Sequence, residues 1–337
     1  MITRTVPLVQ VPAVDDWRIQ LKQAYRTPAA LLDALGLPAT LMADAGQGHA
    51  LFSTRVPEAY ARRMRPGDPN DPLLRQVLPT GRETEQVAGF TQDPLEEAEH
   101  TPAPGIIHKY HGRVLFIVSG ACAVNCRYCF RRHFPYGEHT LSQAQWDESL
   151  EYLRRDTSLK EVILSGGDPL VAPDNYLEAL IDKLERIPHL TRLRVHTRLP
   201  VVIPDRVTEQ LVKVLTSSRL KPVMVLHINH ANEIDDAMAH ACQRLRAAGV
   251  TLLNQSVLLE GVNDTVDALE ALSERLFEVD VRPYYLHVLD KVDGAAHFHV
   301  SDTRAHELMG ALQTRLPGFL VPTLAREEPN RPNKTRL

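Results

Sequence analysis

From residue 112 onward, apolar runs and amphipathic runs alternate in strict order. The apolar runs are Val114–Val118, Glu161–Leu164, Leu193–His196, Pro222–Ile228, Thr251–Leu258 and Pro283–Leu289. Each is followed by a stretch with apolar residues at helical spacing: Gln143–Arg155, Tyr176–Ile187, Arg206–Thr216, Asp235–Ala248, Val266–Phe277 and Thr303–Arg315. Strands that are apolar throughout, each joined to a helix, predict a parallel sheet covered on both faces. A closed barrel of this kind needs eight such units. The six seen here predict an α/β fold, a partial (βα)6 barrel with a wide mouth at the C-terminal ends of its strands. Residues just after each strand are therefore the candidates for chemistry.

Upstream, Asp15–Arg26 carries Trp17, Ile19, Leu21 and Tyr25 at helical spacing. Thr27-Pro28 then predicts an N-cap with proline in the first turn, opening a helix over Ala29–Leu35. Arg65–Pro79 and Thr91–Gly105 are rich in proline and charge and are expected to loop over the surface. The expected division is a helical extension (1–105), the barrel (106–320) and a C-terminal segment (321–337).

Composition changes this picture little. The 337 residues include 38 Lys and Arg against 42 Asp and Glu, a net charge of −4, with 44% hydrophobic and 24% charged residues. That describes a folded chain with no overall pull toward nucleic acid or an anionic membrane. No apolar run of about 18 residues predicts a membrane span. Met1–Gln20 lacks the basic and apolar order of a secretory signal. Cysteine usage is more informative. Three of the four cysteines, Cys122, Cys126 and Cys129, fall within one short loop directly after the first strand. This excludes a spread disulfide framework and points to a reducing compartment, the cytoplasm.

Three thiolates on one loop suit a soft metal or an iron–sulfur cluster. Structural zinc normally takes four ligands, usually in two pairs, and no second pair stands elsewhere. Three buried thiols, or zinc completed by a histidine, remain the bland alternatives. Other polar groups follow the later strands. Gly166, Gly167 and Asp168 end the second, and adjacent glycines let backbone approach a ligand closely. His196-Thr197-Arg198 follows the third strand and His227-Ile228-Asn229-His230 the fourth. Asn254-Gln255-Ser256 lies inside an apolar strand, where its polar groups need partners; aim toward a ligand would supply them. Lys109, Arg113, Arg127, Arg131 and Arg132 crowd the cysteine loop, and such local positive charge suggests an anionic ligand, a carboxylate or phosphate.

Cys122–Cys129, with an aromatic at Tyr128, resembles the radical S-adenosylmethionine signature, whose cluster is [4Fe–4S]. In that superfamily the open iron chelates the methionine moiety, and electron transfer releases a 5′-deoxyadenosyl radical. Gly166-Gly167-Asp168 is similar to the motif that contacts the methionine amino group. Arg198 and His227 are assigned to the same S-adenosylmethionine site.

A closer resemblance rests on His108–Arg113, Cys122–Arg132, Ser165–Leu170, His227–Glu233, Asn254–Asp264, Pro283–Asp290 and Val321–Lys334. Together these blocks are similar to the lysine 2,3-aminomutase family. The resemblance implies that Lys334 forms the Schiff base with pyridoxal phosphate and that Tyr110, Arg113 and Gln255 contact this cofactor. It implies that Arg131 clamps the substrate carboxylate, and that Asp290 and Glu327 hold the distal ammonium of L-lysine. The family has Asp where this chain has Glu327, and a glycine-rich run where it has Asn330-Arg331-Pro332-Asn333. Free-standing members continue into a segment with zinc-binding cysteines, which this sequence lacks. The short form resembles the branch that makes (R)-β-lysine for modifying elongation factor P, onto which a separate ligase attaches it. The resemblance also implies an electron donor of the reduced flavodoxin or ferredoxin type and a homo-oligomer. The rivals are the same chemistry on another amino acid, such as glutamate, and a zinc or iron–sulfur protein that only binds a partner. Two acids in the distal pocket favour a cationic substrate over glutamate.

Overall fold

The computed structural model describes residues 16–134 and 145–337. Among the described residues, nine strands form one sheet in chain order. They are β1 (Ile106–Tyr110), β2 (Arg113–Ser119), β3 (Glu161–Gly166), β4 (Arg192–Thr197), β5 (Lys221–His227), β6 (Thr251–Val257), β7 (Arg282–His287), β8 (Thr323–Arg326) and β9 (Thr335–Arg336). Strands β2 to β8 run parallel. β1 joins β2, and β9 joins β8, as antiparallel edges.

The six expected strands are β2 to β7. Helices Trp146–Arg155, Asp174–Glu185, Glu209–Thr216, Asp236–Ala247, Val266–Glu278 and Asp302–Arg315 follow them in turn. Asp15, Gln143 and Ala144, included in the expected helices, lie outside the described residues. Four of these helices begin at a side-chain cap. Thr208, Asp235, Thr265 and Ser301 accept from the backbone N–H groups of Leu211, Met238, Ala268 and Arg304. Each cap satisfies a donor that the first turn leaves unpaired.

The alternating pattern does not reveal β8 and β9. Four residues and two residues are too short to show a period, and they are strands because β7 offers an edge to pair with.

The outer faces of the strands build the core. Val162, Leu164, Leu193, Val195, Met224, Leu226 and Leu252 pack with helix residues such as Leu177, Leu180, Leu211 and Met238 in one buried cluster. The upstream helices share it through Trp17, Leu31, Tyr60, Leu73 and Leu74. Thr27 caps the helix Pro28–Ala34, as its sequence predicts. Arg65–Pro79 is not the surface loop expected. It contains a helical turn, Pro72–Arg75, capped by Asp71, whose side chain accepts from the N–H groups of Leu73 and Leu74. The Asp-Pro start is the same signal as Thr27-Pro28, masked by the charged residues around it. Its burial brings Gln76 into the interior.

Candidate active site

The inner face of the sheet differs from the outer one. Barrels of this kind usually fill their interior with branched apolar side chains. Here β4 contributes Arg194 and His196, β5 His227, β6 Gln255, and β7 Tyr285 and His287, all at half-buried positions, which alternate with buried ones along β4 and β6. The result is a polar lumen. Burial, and then the charges of Arg194, Lys334 and Arg131, hold His196 well below the usual imidazole range. Burial and Lys334 lower His287 to about 3. Groups from β4, β7, the cysteine loop and the chain's end therefore share one electrostatic environment.

The loop after β2 carries Cys122, Cys126 and Cys129 as free, half-buried thiols. Burial, and then the neighbouring Cys129 and Asp168, push Cys122 well above the ordinary thiol range. Burial and Cys126 raise Cys129 to about 11. Burial thus opposes ionising Cys122 and Cys129 together unless a cation holds them. Among the described residues, no three His, Cys, Asp or Glu side chains form a group that could hold a metal ion. A multi-iron cluster is larger than one ion and draws its sulfur ligands from farther apart.

The loop is tied down from outside. Asn125 donates its N–H to the Arg55 carbonyl (3.0 Å), and Arg127 donates its own to the Gln76 carbonyl (2.9 Å). Fully buried Arg127 donates to Glu83 through Nε (2.8 Å) and Nη2 (2.5 Å), and to the Phe52 and Gly48 carbonyls. Arg132 donates to the same Glu83 at 2.7 Å. This corrects part of the sequence reading. The charge of Arg127 and Arg132 is spent on joining the loop to the upstream helices, because a buried guanidinium needs a carboxylate beside it.

The tip of β3 lies against this loop. A Cβ on Gly167 would stand 2.6 Å from the Ala121 carbonyl oxygen, so only glycine allows the approach. Asp168 is buried and accepts from Thr197 Oγ1 (2.7 Å) and from the N–H groups of Arg198 (2.8 Å), Leu199 (2.8 Å) and Leu170 (3.0 Å). It fastens the tips of β3 and β4 together. Burial outweighs these bonds and raises its pKa.

Arg198 is buried. Its Nη1 donates to Cys126 Sγ (2.8 Å) and to Tyr128 Oη. Its Nη2 donates to Tyr60 Oη (3.1 Å), Gln76 Oε1 (2.7 Å) and Glu233 Oε2 (2.9 Å). Asn229 donates to Tyr128 Oη at 2.7 Å, and the ring of His227 stacks on Tyr128 with centroids 5.6 Å apart.

At the far side of the lumen, the Lys334 ammonium donates to Glu327 Oε2. Lys109 donates to the other oxygen, Oε1, at 3.2 Å. Burial alone would raise Glu327, but the two lysines outweigh it and hold the carboxyl far below its usual range. Burial and the charge of Glu327 raise Asp290 to about 7. Burial and Glu327 also raise Tyr110. The Arg113 guanidinium lies over the Tyr110 ring, 4.6 Å from its centroid. Lys334, Glu327, Asp290, Tyr110 and Arg113 are thus brought together from β1, β2, the segment after β7, and the β8–β9 turn.

The structure also shows the partners of three further residues singled out in the sequence. Asn254 faces its neighbour strand: it accepts from the Ile228 N–H (2.9 Å) and donates to the Ile228 carbonyl (3.0 Å). Ser256 is buried and donates to the Tyr285 carbonyl at 3.5 Å. Backbone groups, and no ligand, supply the partners of both; Gln255 between them faces the lumen. Arg131 is held in a bidentate pair by Glu97, with Nε–Oε2 and Nη2–Oε1 both 2.7 Å, while Nη1 reaches Ser165 Oγ and the Gly166 carbonyl at 3.3 Å.

Residues 116–273 match the Radical SAM superfamily. The chain is 50% identical over 331 residues to the L-lysine 2,3-aminomutase of Haemophilus influenzae, covering 97% of this chain and 98% of that protein. It is 51% identical to the enzyme of that name from Escherichia coli K12, covering 98% and 96%. The enzyme from Clostridium subterminale is 37% identical, covering 95% and 77%. The chain belongs to the lysine 2,3-aminomutase family.

The family consists of isomerases, and its radical SAM domain implies a [4Fe–4S] cluster and S-adenosylmethionine. The three soft sulfurs on a rigidly anchored loop, with the Gly166-Gly167 backbone beside them, suit both groups. Sequence reasoning missed five residues that hold this site: Tyr60, Gln76, Glu83, Glu97 and Glu233. All are buried. Nothing in their local sequence marks them, since Glu83 and Glu97 sit among other polar and charged residues and Tyr60 and Gln76 carry no charge. Their partners are unreadable without the fold. Among the described residues, no helix is long and apolar enough to cross a membrane.

Proposed function

We propose that this chain converts L-α-lysine to (R)-β-lysine by a radical SAM and pyridoxal phosphate mechanism, and that the product serves modification of elongation factor P. In this reading Cys122, Cys126 and Cys129 hold the [4Fe–4S] cluster. Gly166, Gly167, His227 and Arg198 form the S-adenosylmethionine site, with Asp168 acting by positioning the strand tips. Lys334 carries pyridoxal phosphate, which Tyr110, Arg113 and Gln255 contact. Reduction comes from a flavodoxin or ferredoxin type of donor, and the enzyme works as a cytoplasmic homo-oligomer.

One observation carries the choice of lysine: Glu327 and Asp290 share a lumen with Lys334, and Glu327 is ionised only through its two cations. When bound, the cluster and S-adenosylmethionine supply a hydrogen-abstracting carbon radical, and pyridoxal phosphate supplies the carbonyl group through which nitrogen migrates. The protein's own residues do the rest. With pyridoxal phosphate bound, Lys334 would hold it by its side-chain nitrogen, and Lys109 would stay beside Glu327. Glu327 and Asp290 would receive the distal ammonium of lysine. Arg131, fixed by Glu97, orients the substrate carboxylate. Enclosure by Tyr128, Phe298 and Leu289 excludes water from one wall, which keeps loose solvent away from a reactive carbon radical. The enantiomer and the destination of the product rest on the sequence resemblance.

The test is an anaerobic assay of reconstituted protein with lysine, S-adenosylmethionine and dithionite, resolving β-lysine enantiomers by chiral chromatography. Formation of (R)-β-lysine supports the reading. Turnover of glutamate with none of lysine overturns it.

A further inference from the structure

The lumen explains where substrate goes, yet the most heavily bonded side chain in the site points elsewhere. Arg198 spends one guanidinium nitrogen on a cysteine sulfur. Nη1 stands 2.8 Å from Cys126 Sγ. The other terminal nitrogen, Nη2, is fixed by Tyr60, Gln76 and Glu233. Glu233 is itself locked in place: its Oε1 accepts from the N–H groups of Asn229 (2.9 Å) and His230 (3.1 Å) and from Gln76 Nε2 (3.2 Å). The three supporting side chains, Tyr60, Gln76 and Glu233, are buried, so the guanidinium cannot turn away from the sulfur without breaking several bonds in a low-dielectric interior.

We propose that Arg198 is a positioning residue that sets the reduction potential of the cluster, by donating from Nη1 to the sulfur of its ligand Cys126 while Glu233 and Gln76 hold it there. The proposal rests on reading the cysteine loop as the cluster's ligand set. A donor to a ligating sulfur withdraws electron density from the iron, and a fixed positive charge nearby favours the state that carries one more electron. Both effects raise the potential at which the oxidised cluster accepts one electron from an external reductant. Glu233 moderates this by offsetting part of the guanidinium charge. A structural pair would need no contact with the sulfur: Tyr60, Gln76 and Glu233 already satisfy Nη2. Sequence motifs place Arg198 after β4 but say nothing of Cys126, which lies 72 positions away.

The experiment uses full-length protein reconstituted anaerobically with iron and sulfide. Dithionite titrations are followed by the electron paramagnetic resonance signal of the reduced cluster, without substrate or turnover. Arg198→Gln is expected to shift the midpoint downward, lowering the reduced-to-oxidised ratio at a fixed potential roughly tenfold, about 59 mV for one electron. Glu233→Gln, which keeps the shape of the side chain and removes its charge, is expected to shift the midpoint upward. Opposite signs distinguish electrostatic control from general loosening of the site, which would move both variants the same way. An unchanged midpoint in Arg198→Gln with full iron content overturns the proposal. If Arg198→Gln fails to load iron, Glu233→Gln decides alone, and a midpoint that stays or falls overturns it. Failure of the unaltered protein to bind a four-iron cluster would instead refute the reading of the cysteine loop.

Discussion

The Lys334 ammonium is bound to the carboxylate of Glu327, seven positions earlier in the chain. The β8–β9 pairing turns the chain back so that both side chains enter the same lumen. Lys109, from β1, completes the cluster at 3.2 Å. An amine held as an ammonium by a carboxylate is a poor nucleophile. In the role proposed for it, Lys334 would yield that proton before engaging a carbonyl, with Lys109 still donating to Glu327.

Replacing Lys334 should therefore separate the two halves of the site. In Lys334→Ala, the absorbance of lysine-bound pyridoxal phosphate and β-lysine formation should both disappear. Iron content after reconstitution should match that of the unaltered protein, because the cysteine loop is anchored by Glu83 and Gln76 and not by the chain's end. Retention of the lysine-bound absorbance would remove Lys334 from its role.

Asp290 makes a pH-dependent prediction. Its carboxyl is raised to about 7 by burial and by Glu327, so between about 4 and 7 the folded chain binds more protons here than the unfolded one. The sign follows: this group's contribution to stability is greatest at low pH and declines as pH rises toward 7. Asp290→Asn should raise the Tm of the cofactor-free protein at pH 8 and leave it nearly unchanged at pH 4. A cation placed beside Asp290 lowers its pKa, so lysine binding near pH 7 should release a proton. Calorimetry in buffers of different ionisation enthalpy would detect it.

The anchor of the cysteine loop should be costly to remove. Glu83 and Arg127 are fully buried partners, and truncating one leaves the other charge unpaired. Glu83→Ala should cost about 3–5 kcal/mol in denaturant unfolding and should lower iron retention, since Arg127 and Arg132 both lie within the loop. Unchanged iron retention would detach this pair from the site.

At the β3 tip, Gly167→Ala places a methyl 2.6 Å from the Ala121 carbonyl oxygen and 2.8 Å from its carbon. Backbone must move, and the loop before Cys122 moves with it. Binding of S-adenosylmethionine, measured by equilibrium dialysis, should weaken by at least about tenfold, an estimate from the effect of small misplacements in tuned sites. Global unfolding should change much less. Equal affinity in the variant would show that the close approach serves packing alone.

The repeated strand and helix units, the cysteine loop at a strand end and the cap at Thr27 are readable from sequence, because each depends on residues close together in the chain. Periodicity and caps are local signals, and the strand-end position of Cys122–Cys129 follows from them. The same locality explains what was misread. Asn254 looked like a residue seeking a ligand because its partner, Ile228, lies on the neighbouring strand. Arg127 and Arg132 read as part of a site for an anionic ligand because Glu83 lies some forty positions upstream, at 44 and 49 residues' separation. What only the tertiary structure decided is pairing: Arg131 with Glu97, Arg198 with Cys126 and Glu233, Lys334 with Lys109's acid, Glu327. Electrostatic and hydrogen-bond partners are chosen by distance in space, and a buried charge takes whichever opposite group the fold brings within about 3 Å. Residue type and order therefore specified the barrel and its chemical inventory, while the shape of the lumen assigned each charge its partner.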